Sequence, residues 1–288
     1  MAYLYHYDDK GNVIQEDLWG DITGNGKKLI RSGDQFPQTN QAECFTIKRQ
    51  YTQNNLLFRE IFPNGSIIEY HYYNGTDRLH AKYHYDQNKM MKREFFIYDG
   101  SILVREIVDD GYEKDVNHLS GVTERLIKKI TPRKNKTFSG FPEIIEEMYW
   151  DCKRGKEVLL KKQIIEYNQK GLVSKISHYD ENGSFAYDLI YNYDNKGRLT
   201  AQTDPLGRKR SIALDGNDNP IFDKDPNEAF SVHQKYDYSN RPIQEEKNAI
   251  NNEKRALHFE YNLLSQKRVE TNEQGGGNFF QTQSFWSS

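Results

Sequence analysis

Two histidines have a spacing that elsewhere binds zinc. His80 and His84 are four residues apart, as in a metalloprotease helix, but Ala81 stands where that motif needs its general-base Glu. On a strand the two histidines would share a face, yet no third ligand is identifiable. The pattern favours ordinary sheet histidines, and we predict no metal site here.

Two further segments resemble ion-binding loops and lack essential residues. Residues 215–220 begin like a calcium loop, but Pro220 replaces the turn glycine and Pro226 replaces the bidentate Glu. Residues 23–28 resemble a phosphate loop, but Asp21 occupies the first glycine position and Lys28 replaces the Ser or Thr. Both segments are predicted to be turns.

No residue set points to covalent, acid–base or redox catalysis. Cys44 and Cys152 lie more than a hundred residues apart and match neither a zinc pattern nor a disulfide framework. Acidic residues are scattered at turns, so no carboxylate pair can be nominated as a glycosidase acid and base. We expect a protein that is not an enzyme and that uses no cofactor.

Charge and composition restrict the partners. The 40 basic residues are balanced by 42 acidic ones, which leaves no electrostatic footprint for nucleic acid or anionic lipid. Five of the nine positions from 128 to 136 are basic, and we interpret this cluster as a solvated loop rather than a site for an anionic partner. No apolar run is long enough for a membrane span, and no signal peptide is visible. This pattern fits cytoplasmic synthesis before specialised export, and equally a fragment of a longer chain, so the compartment is left open.

A tyrosine-centred repeat organises the chain. Its full form is Tyr, then Asp or Asn, with Gly three positions further, and it recurs at intervals of about 12 to 24 residues. Degenerate copies that lose the glycine begin at Tyr85, Tyr238 and Tyr261, and residues 214–216 stand in for another. The residues assigned to repeat turns are Tyr7, Asp8, Gly11, Tyr85, Asp86, Tyr167, Gly171, Tyr179, Asp180, Gly183, Tyr193, Asp194, Gly197, Arg198, Asp204, Pro205 and Gly207.

Each repeat predicts a chain reversal between strands. Asp or Asn accepts backbone N–H groups in an Asx-turn, and Gly adopts the positive φ that other residues resist. The flanking segments alternate in the manner of strands, and helical periodicity is nearly absent. We therefore predict an all-β fold, a spiral or solenoid-like array of antiparallel hairpins.

The predicted organisation has four parts. Residues 1–108 and 163–274 carry repeat hairpins, with the better copies in the second range. Residues 109–162 form an irregular insertion or linking strands. Within this segment the Pro-, Gly- and Lys-rich part is an exposed basic loop, and residues 143–150 favour a strand over a helix. Residues 275–288 carry no repeat and are predicted to fray.

Residues 193–200, followed by the turn at 203–208, resemble the YD repeat of bacterial RHS proteins. The resemblance implies a spiral of hairpins that winds into a hollow β-cocoon shell, which in many members encloses a C-terminal toxin. The chain is far shorter than a closed shell needs, and it lacks the family's self-cleaving C-terminal core, since residues 204–207 are an ordinary repeat turn. The resemblance therefore implies a shell segment without toxin or protease activity.

Two functions follow as expectations. The first is a non-enzymatic scaffold, part of an RHS shell, whose partners are the remaining shell segments or a C-terminal toxin or cargo polypeptide. The alternative is a carbohydrate-binding surface that uses exposed Tyr and Asn faces, with Tyr70, Tyr72 and Tyr73 as the candidate sugar contacts. Cross-strand tyrosines also stabilise sheets, by about 0.2–1 kcal/mol a pair, so these rings have a structural explanation as well.

Overall fold

The computed structural model describes residues 1–25, 43–134, 137–249, 253–262, 265–272 and 277–279. The chain divides into two compact units. The first unit contains Met1–Lys162 and Glu181–Gly183, and the second contains Gln163–Asp180 and Ser184–Ser288. Strands and turns make up the described residues, and none of these residues is helical. No helix of a length and apolarity suited to crossing a membrane occurs in these ranges.

The strands of the first unit follow each other along an antiparallel meander. They are β1 (Ala2–Tyr7), β2 (Val13–Gly20), β3 (Glu43–Tyr51), β4 (Leu57–Ile61), β5 (Ile67–Tyr72), β6 (Leu79–Asp86), β7 (Lys89–Asp99), β8 (Ile102–Asp109), β9 (Arg125–Pro132) and β10 (Pro142–Asp151). Each strand from β1 to β10 pairs antiparallel with the next one in sequence. Strand β11 (Lys156–Tyr167) crosses the boundary between the units.

The second unit repeats this arrangement. Its strands are β12 (Val173–Tyr179), β13 (Phe185–Tyr193), β14 (Leu199–Thr203), β15 (Lys209–Leu214), β16 (Pro220–Lys224), β17 (Phe230–Tyr236), β18 (Pro242–Ala249), β19 (Lys254–Tyr261), β20 (Lys267–Asn272) and β21 (Gly277–Phe279). Consecutive strands again pair antiparallel from β12 to β21. The all-β array of antiparallel hairpins expected from the sequence is confirmed.

A register shift accompanies the repeat tyrosine. The pairing shifts immediately before Tyr7, Tyr51, Tyr72, Tyr193, Tyr236 and Tyr261. Such a shift, a β-bulge, increases the local twist and changes the direction of a side chain. In these six copies the repeat therefore includes a β-bulge as well as a turn.

The first unit has a compact aromatic and aliphatic core. Ala81, Tyr83, Phe95, Ile107 and Ile127 are buried together on neighbouring strands β6 to β9. Residues 110–124, between β8 and β9, are irregular and pack on this core through Val116. We call residues 110–124 the strap.

The second unit buries little apolar surface. Ala201 and Ala256 are its buried hydrophobic residues among those described. Since this unit gains little from a deep core, its hairpins depend more on hydrogen bonds at their turns, which are described below.

Four details differ from the sequence-based prediction. Asp86 pairs with Lys89 as the last residue of β6, so the chain reverses through the two residues Gln87 and Asn88. Both have positive φ, 47° and 67°, as a tight type I′ hairpin requires, so Tyr85 and Asp86 are strand residues rather than part of an Asx-turn.

The repeat copy assigned to Tyr238 begins two residues earlier. Asp237, after Tyr236, opens the turn, because its carboxylate accepts the backbone N–H groups of Ser239 and Arg241. Tyr238 lies within the turn with 93% of its surface exposed.

The remaining differences concern the basic segment and the tail. Lys128 and Lys129 lie in β9 rather than in the loop, which joins β9 to β10 and has residues 135–136 outside the described ranges. Residues 143–150 are confirmed as a strand, within β10. Gly277–Phe279 was predicted to fray but pairs with β20, because an edge strand offers unpaired backbone groups. Residues 275–276 and 280–288 lie outside the described residues.

Candidate functional site

The turn at residues 194–198 shows how one repeat is built. Asp194 N donates to Arg198 O (2.9 Å), and Gly197 N donates to Asp194 O (3.0 Å). One carboxylate oxygen of Asp194 accepts the N–H groups of Lys196 (2.9 Å) and Arg198 (3.0 Å), and the other accepts Arg198 Nε (2.7 Å). These bonds, led by the one from the Arg198 backbone, lower the pKa of Asp194. The fifth residue of the turn therefore binds the carboxylate of the first residue twice and its backbone N–H once.

The same geometry recurs where the residue types allow it. Arg208 and Arg241 donate Nε to Asp204 (2.6 Å) and Asp237 (2.7 Å), as Arg198 does to Asp194. Asn12 and Asn219 replace the arginine and donate Nδ2 to Asp8 (2.8 Å) and Asp215 (2.9 Å). The residues at 215–220 are thus a turn, as predicted.

The fourth turn position is left-handed whether or not it is glycine. Gly11, Gly171, Gly183, Gly197 and Gly207 have φ between 77° and 87°. Where the glycine is lost, other residues take the same conformation: Asn55 (60°), Asp218 (70°), Asn240 (61°) and Ser265 (61°). Apart from the copy at Tyr85, the degenerate repeats therefore keep the turn.

These replacement residues accept hydrogen bonds from the preceding turn. The fifth residue of one turn donates to the fourth residue of the next at four places: Asn12 to Asn55 (3.3 Å), Arg198 to Asp218 (2.6 Å), Asn219 to Asn240 (3.0 Å) and Arg241 to Ser265 (3.3 Å). A glycine has no side-chain acceptor for such a bond. From the sequence alone, a missing glycine looks like a degraded repeat. In the structure, the residue that replaces it lacks glycine's backbone freedom but gains a side-chain contact with the preceding turn.

Lysines at the third turn position add a second contact. Lys10, Lys170 and Lys196 donate Nζ to the carbonyl oxygen of the second residue of the next turn, namely Gln53 (3.0 Å), Asn195 and Gly216 (3.3 Å). We call the successive turns joined in this way a turn row. The first unit's row contains residues 8–12 and 52–56. The next turn, residues 73–78, is linked to this row through the hydroxyl of Tyr72. The second unit's row contains residues 168–172, 194–198, 215–219, 237–241 and 262–266.

The repeat tyrosine joins the strands beneath each row. In five copies the Tyr before a turn donates its hydroxyl to the carbonyl that directly follows the preceding turn of the row: Tyr51 to Val13 (3.0 Å), Tyr72 to Leu57 (2.8 Å), Tyr193 to Val173 (2.8 Å), Tyr236 to Pro220 (3.1 Å) and Tyr261 to Pro242 (2.8 Å). We call this contact a tyrosine bridge. It explains why the repeat uses Tyr, since Phe offers no donor.

Other predicted turn residues have varied surroundings. Tyr7 ends β1 and is 59% exposed. Tyr179 packs edge-on against Phe185, with ring centroids 5.9 Å apart. Asp180 accepts the N–H of Ser184 (2.8 Å). Tyr167 ends β11, and Pro205 follows Asp204 in the turn that leads to Gly207.

The three tyrosines proposed as sugar contacts use their hydroxyls within the protein. Tyr70 donates to Glu60 (2.6 Å), Tyr72 to Leu57 O and Tyr73 to Phe96 O (3.0 Å). Burial, together with the Glu60 carboxylate, raises the pKa of Tyr70. All three are half-buried, and their role in sugar binding stays a prediction.

The structure also shows the surroundings of the candidate metal and phosphate motifs. His80 packs on Tyr73 with ring centroids 4.8 Å apart, and His84 Nε2 lies 3.0 Å from Glu94. No cluster able to hold a metal ion occurs in the described part of the chain. In the phosphate-loop segment, the N–H of Thr23 already binds the Glu43 carboxylate (2.8 Å), and residues 26–28 lie outside the described ranges.

The basic cluster is partly neutralised by neighbouring strands. Lys128 lies 3.6 Å from Glu106, and Lys129 lies 3.5 Å from Glu146. Cys44 and Cys152 are free thiols, with Cys44 half-buried and Cys152 exposed.

A buried charge network went undetected in the sequence. Arg93 is fully buried and binds Asp109 through two bonds, Nε to Oδ1 at 2.5 Å and Nη2 to Oδ2 at 3.0 Å. Arg125 Nε lies 3.5 Å from the same carboxylate. Arg93 also donates to strap carbonyls, at Asp115 (3.0 Å) and His118 (3.2 Å). The network fixes the strap to the sheet, and no local sequence motif predicts it.

Comparisons with known proteins find structural similarity and no sequence match. No protein-family model matches the chain, and no curated protein does. Solved structures that resemble it include TcdB2-TccC3-TEV, with 11% identity over 94% of this chain and 15% of that chain and a TM-score of 0.46. The Photorhabdus luminescens Tc holotoxin pore matches with 13% identity over 94% of this chain and 15% of that chain and a TM-score of 0.36.

A third similar structure is of another kind. A porin-like protein from Bacteroides uniformis matches with 9% identity over 82% of this chain and 91% of that chain and a TM-score of 0.28. Tc toxin structures are thus among those that this all-β chain resembles, at low identity, and the chain spans about 15% of their length.

Proposed function

We propose that this chain is a structural strip of RHS-type YD-repeat hairpins, part of a wall that encloses a polypeptide, with no catalytic step of its own. The observation that carries the proposal is the turn row with its tyrosine bridges, which recurs in both units. Each step of a row is made by a tyrosine bridge, by a side-chain contact between the turns, or by both. A repeat array with such nearest-neighbour contacts can be extended without a large core, as a wall requires.

The charge balance supports the same function. Several contacts at the turns pair a cation with an anion, for example Arg198 with Asp194 and Arg241 with Asp237. The chain as a whole carries a formal net charge of −2. A near-neutral wall exerts little long-range attraction on nucleic acid or lipid. The partner polypeptide is therefore held by physical confinement rather than by electrostatic attraction.

Protection of a partner polypeptide tests the proposal. The native protein is isolated from its source cells, its mass is compared with the 33.9 kDa of this chain, and the complex is treated with protease. We expect a co-purifying polypeptide that resists digestion. In a Tyr193→Phe/Tyr236→Phe variant, loss of two tyrosine bridges should speed its digestion, whereas Tyr238→Phe, which changes an exposed ring, should not.

Two outcomes would count against the wall. One is that no co-purifying polypeptide resists the protease, and the other is equal protection in the bridge variant and the Tyr238→Phe control. Saturable binding on a glycan panel that is lost in Tyr70→Ala, Tyr72→Ala and Tyr73→Ala variants would instead support the carbohydrate-binding alternative.

A further inference from the structure

The Glu69 carboxylate on β5 ties the strap to the sheet. Its Oε2 atom accepts a hydrogen bond from Lys114 Nζ on the strap (2.9 Å) and one from the Tyr85 hydroxyl on β6 (3.2 Å). Lys114 Nζ also lies 5.1 Å from the ring centroid of Tyr83, whose hydroxyl donates to the carbonyl oxygen of Lys114 (3.0 Å). Both the side chain and the backbone of Lys114 are thus held by β5 and β6.

A histidine lies beside the same carboxylate oxygen. His71 Nε2 is 3.5 Å from Glu69 Oε2, the atom that already accepts a hydrogen bond from Lys114. The imidazole is flanked by the rings of Phe58 on β4 and Tyr83 on β6, with edge-on centroid distances of 5.9 Å and 5.0 Å. Among the residues that the structure describes, Glu69 is the one carboxylate within ion-pair distance of His71. Three donors therefore surround one oxygen atom.

Protonation changes the bond that His71 makes. A neutral imidazole nitrogen donates or accepts according to its tautomer, whereas both nitrogens of an imidazolium donate. A hydrogen bond from an ionised donor to a carboxylate is shorter and stronger than a neutral one. An imidazolium at His71 would therefore draw the Glu69 carboxylate toward itself and place a second positive charge beside Lys114. Two cations would then compete for one oxygen.

The closed strap disfavours the imidazolium. Burial, the largest cause, lowers the pKa of His71 below its ordinary value of 6.5; the hydrogen bond to Glu69 opposes this effect, and the charge of Lys114 adds to it. Opening of the strap takes Lys114 away and admits water, but it leaves Glu69 in place two positions along β5. The pKa of His71 is therefore higher with the strap open than with it closed, so that binding of a proton favours the open state. The titratable groups around the ring are Glu69 on its own strand, Lys114 on the strap, and His80, Tyr83 and Tyr85 on β6.

We propose that the strap is a pH-sensitive latch, in which protonation of His71 draws Glu69 away from Lys114 and shifts the strap toward an open state. The bonds from Arg93 to the strap carbonyls set how stable the closed strap is, and His71 sets how that stability varies with pH. Opening removes Val116 from the core and uncovers its aromatic residues, so the surface of the first unit changes on mild acidification. The latch uses residues outside both turn rows and does not depend on the proposed wall function.

Cleavage after Lys114 by a lysine-specific protease tests the latch, because the open strap is the better substrate. The cleavage rate at Lys114 in the full chain is divided by the rate for a free peptide of residues 110–124 at the same pH, which removes the pH dependence of the protease itself. We expect this normalised rate to rise about 3- to 10-fold from pH 7.5 to pH 5.5, since one unit of difference in pKa between two states changes their ratio tenfold. The turn carboxylates titrate below this range.

Two histidine variants identify the group that binds the proton. His71→Gln keeps a side-chain donor for Glu69 but gains no charge, so its normalised rate should not change with pH. His84→Gln is the matched control. His84 is also a half-buried histidine whose pKa is lowered chiefly by burial, but its Nε2 lies 3.0 Å from Glu94, in a pair between β6 and β7 rather than with the strap. This control should keep the full rise.

Equal normalised rates at pH 7.5 and pH 5.5 in the unchanged chain would overturn the latch. An equal rise in His71→Gln and in the unchanged chain would also overturn it, because another group would then bind the proton. An NMR titration makes the same test without a variant: the amide signals of Lys114 and Asp115 should shift with the same midpoint as the imidazole of His71. Different midpoints would contradict the proposal.

Discussion

At the scale of single residues, the first unit depends on a charge that has no contact with water. Arg93 is fully buried, and its guanidinium satisfies Asp109 and the strap carbonyls together. A buried ion pair often adds little net stability, but removal of one partner leaves the other charged and uncompensated. The cost of losing Arg93 should therefore exceed that of losing any exposed ion pair in the chain.

We predict that Arg93→Met lowers the free energy of unfolding of the first unit by about 3–5 kcal/mol, because Asp109 loses its closest partner. Urea denaturation measures this loss, and limited proteolysis should show earlier cleavage within the strap. Arg210→Met is the matched control, since Arg210 pairs with Asp223 at the surface with about half of its side chain exposed (49%). That change should cost less than about 1 kcal/mol. Equal losses in the two variants would contradict the structural role of Arg93.

At the scale of the element, the repeat turn needs one residue with a left-handed backbone and a set of side-chain contacts. The first and fifth residues hold the turn closed, the fourth supplies the left-handed backbone, and the third and fifth contact the next turn. Glycine satisfies the backbone requirement alone, whereas Asn, Asp or Ser satisfies it at some strain and gains a contact. Both solutions occur along the same row.

A comparison of Gly207 with Gly216 distinguishes the effect of backbone conformation from that of steric clash. Gly207 has φ of 78°, Gly216 does not lie in the positive region, and an added Cβ meets no atom within 4 Å at either position. Gly207→Ala should thus destabilise the second unit by about 1–2 kcal/mol through backbone strain alone. Gly216→Ala should be neutral or stabilising by up to about 1 kcal/mol. Thermal and urea unfolding of both variants checks the contrast, and a comparable loss in Gly216→Ala would refute it.

At the scale of the whole molecule, the turn carboxylates make stability depend on acid. Hydrogen bonds from the fifth turn residue are the main cause that lowers the pKa of each of five aspartates: Asp8, Asp194, Asp204, Asp215 and Asp237. Their ordinary value is 3.8. The Glu43 carboxylate, bound by Thr23, has its pKa lowered to about 2. The folded state therefore binds these protons more weakly than the unfolded state does.

A depressed folded pKa gives stability that is present above the unfolded value and is lost as the pH falls through the folded one. We predict that the contribution of these groups to the free energy of unfolding is constant above about pH 5 and declines steadily below about pH 4. Urea unfolding followed by circular dichroism from pH 6 to pH 2.5 measures the decline. Asp204→Asn should reduce its steepness, since that position then has no proton to gain. Unchanged stability down to pH 3 would show that the turn carboxylates do not hold the fold.

The sequence by itself determined the all-β class and the better turns, because each turn is closed by residues within five positions of one another. Tyr, Asx and Gly at fixed offsets therefore predict a reversal without knowledge of the rest of the chain. The same locality explains why the Asx-turn predicted at Tyr85 and Asp86 was wrong. That copy has the right opening residues, but the chain already reverses through a two-residue turn at Gln87 and Asn88.

Only the tertiary structure decided which tyrosine belongs to a degenerate repeat and what its lost glycine does. The tyrosine bridges join residues 15 to 38 positions apart, and their partners are backbone carbonyls, which carry no residue type to detect. For the same reason Tyr236 could not be preferred to Tyr238 by inspection. Arg93 meets its strap carbonyls more than 20 residues away, so its burial follows from packing, not from any local pattern.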